Sequence, residues 1–457
     1  MQRTASGFYI SRGVFLWIQI IIIQLGKLGN GGPQNFQLLR RKFNKFSHAP
    51  QTLPLYKFDI GPNLIKWDKG FIMPRNILSL DFYGSTITAA LASLDDDTRT
   101  LRIRHVLRRT CRSFSGAFVR DMAGAEEGLN KVFAEMNEYI NADPSVVVGL
   151  RGNFLSFKSS SGFKSIDTRN RIIGDREIDE AIRNSVPINL SDTLEVVDIL
   201  PQSYMIDGNT GILDPKGMAG FTLEIGTFLS YALVTHLNNL NNVLSACNCP
   251  EYALLPSSVA LGETLLTEGE KRSGALLLDL GEESVSALLY NKGILLDGLE
   301  LPYGLNRRAE AVADLLQNDV ETAQEVLNGY EPGADEIMDE VIEDAESKML
   351  QGINKEILQA FCLHLKYPSP NLILCGSGAT KQMVKTAKAI FNAKKARLGV
   401  VDHLISDCPA DNPAYTGALA LIRHTLEREQ NQLGVAQTKE SGLFTGFLDK
   451  LGQLFEH

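Results

Sequence analysis

Cysteine is scarce in this chain: six residues in 457, at Cys111, Cys247, Cys249, Cys362, Cys375 and Cys408, with no CxxC pair. That spacing excludes a zinc ribbon or a dithiol motif assembled from neighbours, and the thiols read as reduced side chains of a cytoplasmic protein. Cys247-Asn248-Cys249 has no partner ligands in its vicinity and reads as an ordinary helix end. Histidine is also rare, seven in all, and no HExxH occurs, so a metalloprotease-type site is excluded. Basic excess is absent: 45 Lys and Arg stand against 54 Asp and Glu, a net charge of -9. A chain of that balance lacks the footprint of a nucleic-acid binder. It does not adhere to anionic lipid by its body either, so membrane contact requires a dedicated segment.

Long hydrophobic runs are missing as well. The nearest approach, Val14 to Ile18 and Ile20 to Ile23, is interrupted by Gln19 and closed by Gln24, and falls short of the roughly 20 apolar residues of a spanning helix. Arg3 and Arg12 upstream give it the look of a signal peptide or short anchor. A basic stretch, Leu39 to Lys45, follows, and then Met73-Pro74-Arg75 directly precedes the first clear strand. Met73 is therefore read as the native start, with residues 1–72 an extension of the reading frame; an anchor and a cleaved targeting segment are the alternatives.

What is there, from Met73 on, is an α/β pattern. Apolar β-rich runs (Asn76 to Leu80, Val146 to Leu150, Val196 to Leu200, Leu276 to Leu280) alternate with helical periodicity (Glu126 to Ile140, Thr235 to Ala246). Asp335 to Glu346 places Ile337, Met338, Val341, Ile342 and Ala345 at helical spacing and reads as an amphipathic helix with a solvated acidic face. Glu427 to Ser441 is polar and aperiodic and reads as a linker.

Three segments run from a strand into a tight glycine-containing turn, a form in which backbone N–H groups can face a phosphate unobstructed. They carry Asp81, Gly84 and Ser85; Asp279, Gly281 and Ser284; and Gly376, Ser377 and Gly378. In a duplicated α/β architecture the first two turns would clamp phosphates from opposite domains, with Asp81 and Asp279 reaching a metal through water. The third turn, opening into a helix near Thr380, would lie against adenosine.

The segment Leu200 to Met218 (LPQSYMIDGNTGILDPKGM) is similar to a block specific to the FtsA family of actin-like bacterial cell-division proteins. Gly116 to Asp121, Val147 to Gly152, Leu265 to Lys271 and Asn412 to Leu419 resemble further family segments in the same order. The resemblance implies an actin-like fold of two domains, ATP with Mg as ligand at the three turns, and at most a weak ATPase. It implies domain 1A at 73–150, 232–272 and 396–426, and the family's inserted subdomain 1C at 151–231. Domain 2A falls at 273–304 and 351–395, with a shortened subdomain 2B at 305–350, where the family binds the C-terminal peptide of FtsZ. The chain departs from the family at the second turn, where Glu282 and Glu283 replace glycines and Ser286 replaces an acid. A carboxylate about 5 Å from a phosphate oxygen is repelled by roughly 3 kcal/mol at an effective dielectric near 20. Weak ATP binding and a scaffold that has lost the ligand both stand.

After the linker, Leu443, Phe444, Phe447, Leu448, Leu451, Leu454 and Phe455 fall on one helical face of residues 442–457. A terminal amphipathic helix behind a tether has two outlets, a lipid surface or a docking groove, and in the FtsA family it is the membrane-targeting helix. The implied function is a self-associating adaptor at the division site, on the cytoplasmic side of the membrane, that tethers FtsZ filaments and contacts later division proteins. A PilM-like pilus-assembly scaffold and a nucleotide-free FtsA scaffold are the alternatives.

Overall fold

The computed structural model describes residues 75–433 apart from 96–99, 141–143, 168, 250–251, 332, 363–370, 402–404 and 411. Residues 1–72, Met73 and the amphipathic stretch 442–457 lie outside the described residues.

The chain opens with a three-strand meander, β1 (Arg75–Tyr83), β2 (Thr86–Asp95) and β3 (Thr100–Thr110), then a short hairpin of β4 (Phe114–Ser115) and β5 (Phe118–Val119), helix α1 (Met122–Asn137) and β6 (Ser145–Leu150). An insertion follows: β7 (Leu155–Ser165), α2 (Asp175–Arg183), β8 (Leu194–Ile206), β9 (Asn209–Ile212) and β10 (Thr222–Leu233). The first module resumes with α3 (Val234–Ala246), β11 (Tyr252–Pro256), α4 (Ser257–Leu265) and α5 (Glu268–Ser273). A second meander, β12 (Ala275–Leu280), β13 (Val285–Asn291) and β14 (Ile294–Leu301), leads to helices α6 (Asn306–Leu316), α7 (Val320–Asn328) and α8 (Glu336–Ala360). The chain closes with β15 (Asn371–Cys375), α9 (Lys381–Ile390), β16 (Lys395–Leu398), β17 (Ile405–Ser406) and α10 (Thr416–Leu433).

The two large sheets repeat one design. The first is ordered β11-β6-β1-β2-β3-β17 and the second β16-β15-β12-β13-β14. In each, the leading strand pairs antiparallel with the next (β1 with β2, β12 with β13) and parallel with a strand brought back by a helical crossover (β6, β15). This duplication is the actin-type arrangement that the resemblance implies. The four-stranded inserted sheet, β7-β10-β8-β9, carries α2 on one face, where Ile166, Ile173, Ala181, Leu223 and Ile225 are buried together.

Period-two alternation explains how the leading strands aim their acids. Leu78, Leu80 and Phe82 of β1 enter the core shared with α1 and α3, while Ile77 packs in the other layer, against Ala418, Leu421 and Ile422 of α10. Ser79 and Asp81 share Ile77's parity, and Ser79 Oγ donates to the Ala418 carbonyl at 2.7 Å. In β12, Leu276, Leu278 and Leu280 enter the second module's own core, whereas Leu277 packs with Val259 and Leu261 of α4. Asp279 shares the parity of Leu277. Both acids thus face the layer between the two sheets.

One expectation changes here: helix α10 carries on through residues 427–433, which the sequence pattern assigns to a polar linker. The acidic segment is helical and forms the first half of α8, whose second half buries Met349, Leu350, Ile353 and Ile357. Met338 and Ala345 of the expected apolar face are buried, with Val341 and Ile342 packed beside Met338, but Ile337 is 64% exposed.

Candidate functional site

The turn after β1 and the turn after β12 meet. Gly84 sits in the left-handed region (φ 53°) and packs against Glu282, so the first turn touches the second. Gly281 closes its own turn by donating to Ser284 O at 3.0 Å. The third turn joins them through Gly376, whose φ of 104° and approach to Leu280 O, 2.3 Å from where a Cβ would lie, admit only glycine. Asp81, Gly84, Asp279, Gly281 and Gly376 are buried together, while Ser85, Ser284, Ser377 and Gly378 lie at the half-buried rim. Ser85 O accepts from Cys111 N at 2.6 Å, and Gly378 packs against Leu305 and Arg308 at the start of α6.

Between the two acids lies a residue that the sequence pattern does not mark as part of a site. Arg151, one position beyond β6, is 2% exposed and is the largest fully buried side chain among the described residues. One terminal nitrogen contacts Asp81 Oδ2 at 3.1 Å and Oδ1 at 3.3 Å, and the other pairs with Asp279. The guanidinium carbon stands 3.8 Å from the centroid of the Tyr83 ring, and Tyr83 Oη donates to Asp279 Oδ1 at 3.2 Å. Ser257 Oγ donates to Asp81 Oδ1 at 2.6 Å. Gly417, at the start of α10, makes room for this carboxyl: a Cβ there would stand 1.8 Å from Asp81 Oδ2.

Burial opposes the charge on Arg151, but Asp81, Tyr83 and Glu300 together hold its pKa above the ordinary arginine value. Burial also drives the Tyr83 phenol far up, so it stays a hydrogen-bond donor. Glu300, on β14, accepts from Ser286 Oγ at 2.9 Å, and loss of solvent pushes its carboxyl up to about 8 despite that bond and Arg151. Glu282 is likewise raised, first by burial, with Glu283 adding to it.

Of the two glutamates that replace the expected glycines, Glu283 has partners in the opposite module. Glu283 accepts from Arg120 at 2.9 Å and from Ser115 Oγ. The carbonyls of Gly281 and Glu282 accept from the N–H groups of Leu305 and Asn306, both at 2.9 Å, which caps the start of α6 from within the turn. At the start of α6, Arg307 pairs with Glu310 and Arg308 with Glu346, both at 3.2 Å.

As arranged, these residues do not fit Mg-ATP. The two acids that would reach a metal through water are bridged by a guanidinium, and the turn that would accept phosphate presents two glutamates and has its Gly281 N–H taken by the Ser284 carbonyl. Burial pushes the thiols of Cys247 and Cys249 up to about 11 and about 12.

In the sequence Arg151 is marked only as a lone cation following the apolar run Val146 to Leu150, which does not reveal its partners. Tyr83 and Glu300 carried no comparable mark.

Two repeated sheets with their acids facing one cleft define an actin-like ATPase fold. A PilM–PilN type IV pilus biogenesis complex shares it, with a TM-score of 0.57, 16% identity, and coverage of 76% of this chain and 98% of that one. MreB5 of Spiroplasma citri bound to ADP matches at a TM-score of only 0.43 and 11% identity, covering 78% of this chain and 97% of that one, too loose a likeness to locate a ligand here. Residues 152–229, the inserted sheet and α2, match the SHS2 domain inserted in FTSA. Cell division protein FtsA of Streptococcus pneumoniae is 24% identical over 307 residues, 61% of this chain and 64% of its own length. FtsA of Neisseria meningitidis is 22% identical over 259 residues, 56% of this chain and 61% of its own. FtsA of Pseudomonas aeruginosa is 20% identical over 394 residues, 80% and 93%. The chain thus spans less than two thirds of the length of the first two of these relatives. In sequence it is similar to FtsA cell-division proteins at 20–24% identity, and its inserted module matches their SHS2 domain.

Proposed function

We propose that this chain is a cell-division adaptor of the FtsA type, a structural and interaction protein that links FtsZ filaments to the cytoplasmic face of the cell membrane at the division site. The observation that carries this reading is the SHS2 module itself, inserted in an actin-type fold between β6 and α3. Self-association and contacts to later division proteins are proposed for that module. FtsZ docking is proposed for the helices α6 to α8. Leu315, Leu316, Val320, Val326 and Ile337 are exposed there, which supports a surface suited to an apolar peptide.

Among the described residues, no helix is long and apolar enough to cross a membrane. Membrane attachment is proposed instead for the amphipathic stretch 442–457, with Phe447 and Leu451 on its apolar face. The body of the adaptor works without nucleotide-linked assembly, a version of the FtsA role that the Arg151 bridge supports.

A tagged copy should form a midcell ring that requires FtsZ and that disperses when residues 442–457 are removed. Phe447→Glu with Leu451→Glu should abolish sedimentation with liposomes. A diffuse signal in dividing cells would overturn the reading. The likeness to the PilM–PilN complex supports a second one, a scaffold for an envelope assembly; localisation independent of FtsZ favours it.

A further inference from the structure

We infer that Arg151 is a built-in cation that closes the cleft between the two actin-type modules, standing where the fold would otherwise need a metal and phosphate to hold its two acids together. Asp81 lies near the end of the leading strand of one sheet and Asp279 near that of the other, and both are fully buried. Two facing buried carboxylates repel and cost desolvation unless a cation lies between them. A diffusible cation would leave the cleft free to open. Arg151 is covalently part of the first module, so its pairing with Asp279 ties the second module to the first without a diffusible ligand.

The rest of the cleft agrees with a lock. Tyr83 covers the guanidinium and donates across the divide to Asp279. Glu283 reaches back across the same divide to Arg120 and Ser115. Gln202 of the inserted sheet adds a two-way backbone bond to Leu295 of the second module, its Nε2 donating to the carbonyl at 2.9 Å and its Oε1 accepting from the N–H at 2.5 Å. The inference goes beyond the adaptor role; the nucleotide-free form of that role rests on the same bridge, whereas recruitment of FtsZ does not. A chain that never meets FtsZ would still be locked, and a chain that recruits FtsZ could still prove to open and close on nucleotide.

Hydrogen exchange on the full chain, without and with millimolar Mg-ATP, is the first test. The amides of residues 79–84 and 277–281 should be protected without nucleotide and should gain nothing on its addition. Added protection, or fast exchange that only nucleotide suppresses, would overturn the inference. Arg151→Ala provides a second readout, because it leaves Asp81 and Asp279 facing each other with no cation. Its melting temperature should rise with millimolar Mg2+ and fall with EDTA, while the wild type responds to neither. A variant that folds, stays protected and ignores Mg2+ contradicts the lock. If the variant does not fold, the exchange experiment on the wild type still decides.

Discussion

Tyr83 lies along Arg151, 3.8 Å from guanidinium carbon to ring centroid, and its hydroxyl donates to Asp279 at 3.2 Å, so one side chain of the first module covers the cation and grips its second acid. Tyr83→Phe removes the grip and keeps the cover. A hydrogen bond to a charged group is worth about 1.5–3 kcal/mol, and urea unfolding should show a loss in that range. An unchanged unfolding midpoint would mean that the hydroxyl contributes nothing to closure.

Two ion pairs cross the same cleft with unequal weight. Arg151 is 2% exposed between fully buried acids, whereas Arg120 and Glu283 are 48% and 28% exposed. Removing one partner of a buried pair strands a charge and costs about 3–5 kcal/mol; a solvated pair is worth about 1 kcal/mol or less. Arg151→Ala should therefore destabilise several-fold more than Glu283→Gln in the same denaturation assay.

Glu300 makes stability depend on pH. Burial raises its carboxyl from the usual 4.5 to about 8 in the folded protein. A raised folded value means the native state holds the proton more tightly than the unfolded chain does. Its contribution is full below about pH 4.5 and is lost progressively as pH rises towards 8. Glu300→Gln, which cannot ionise, should lose less stability than the wild type between pH 5 and 9. Buried His424, held well below its ordinary value, acts in the opposite sense at lower pH, and it cancels in the comparison of the two proteins.

Gly417 is a test of packing around the first acid. A methyl group at this position would overlap Asp81 Oδ2, 1.8 Å away. Overpacking typically costs about 1–3 kcal/mol, and Gly417→Ala should also displace Asp81 from Ser257 and Arg151. Calorimetric melting of the variant checks the first effect, and a crystal structure checks the second.

The sequence made the frame legible because its signals are local. Leu276 to Leu280 is an unbroken apolar run with one acid, and β12 is buried along its whole length. Thr235 to Ala246 has helical periodicity, and α3 spans Val234 to Ala246. The acids were legible for the same reason: an Asp at the end of an apolar strand has few roles. Arg151 was not, because the cost of burying it is offset only by Asp81 and Asp279, which are remote in sequence and meet it only when both sheets are folded. The replacement of glycines by Glu282 and Glu283 was visible, but not that Glu283 would find Arg120. The end of α10 was missed because its last turns carry polar residues, and polarity without apolar periodicity resembles a linker.

If the protein's own arginine closes the cleft, a crystal structure of the wild type grown with millimolar Mg-ATP will show the Arg151 guanidinium between Asp81 and Asp279, with no nucleotide in the cleft; phosphate and metal bound between those two acids, with Arg151 displaced, would contradict this closure.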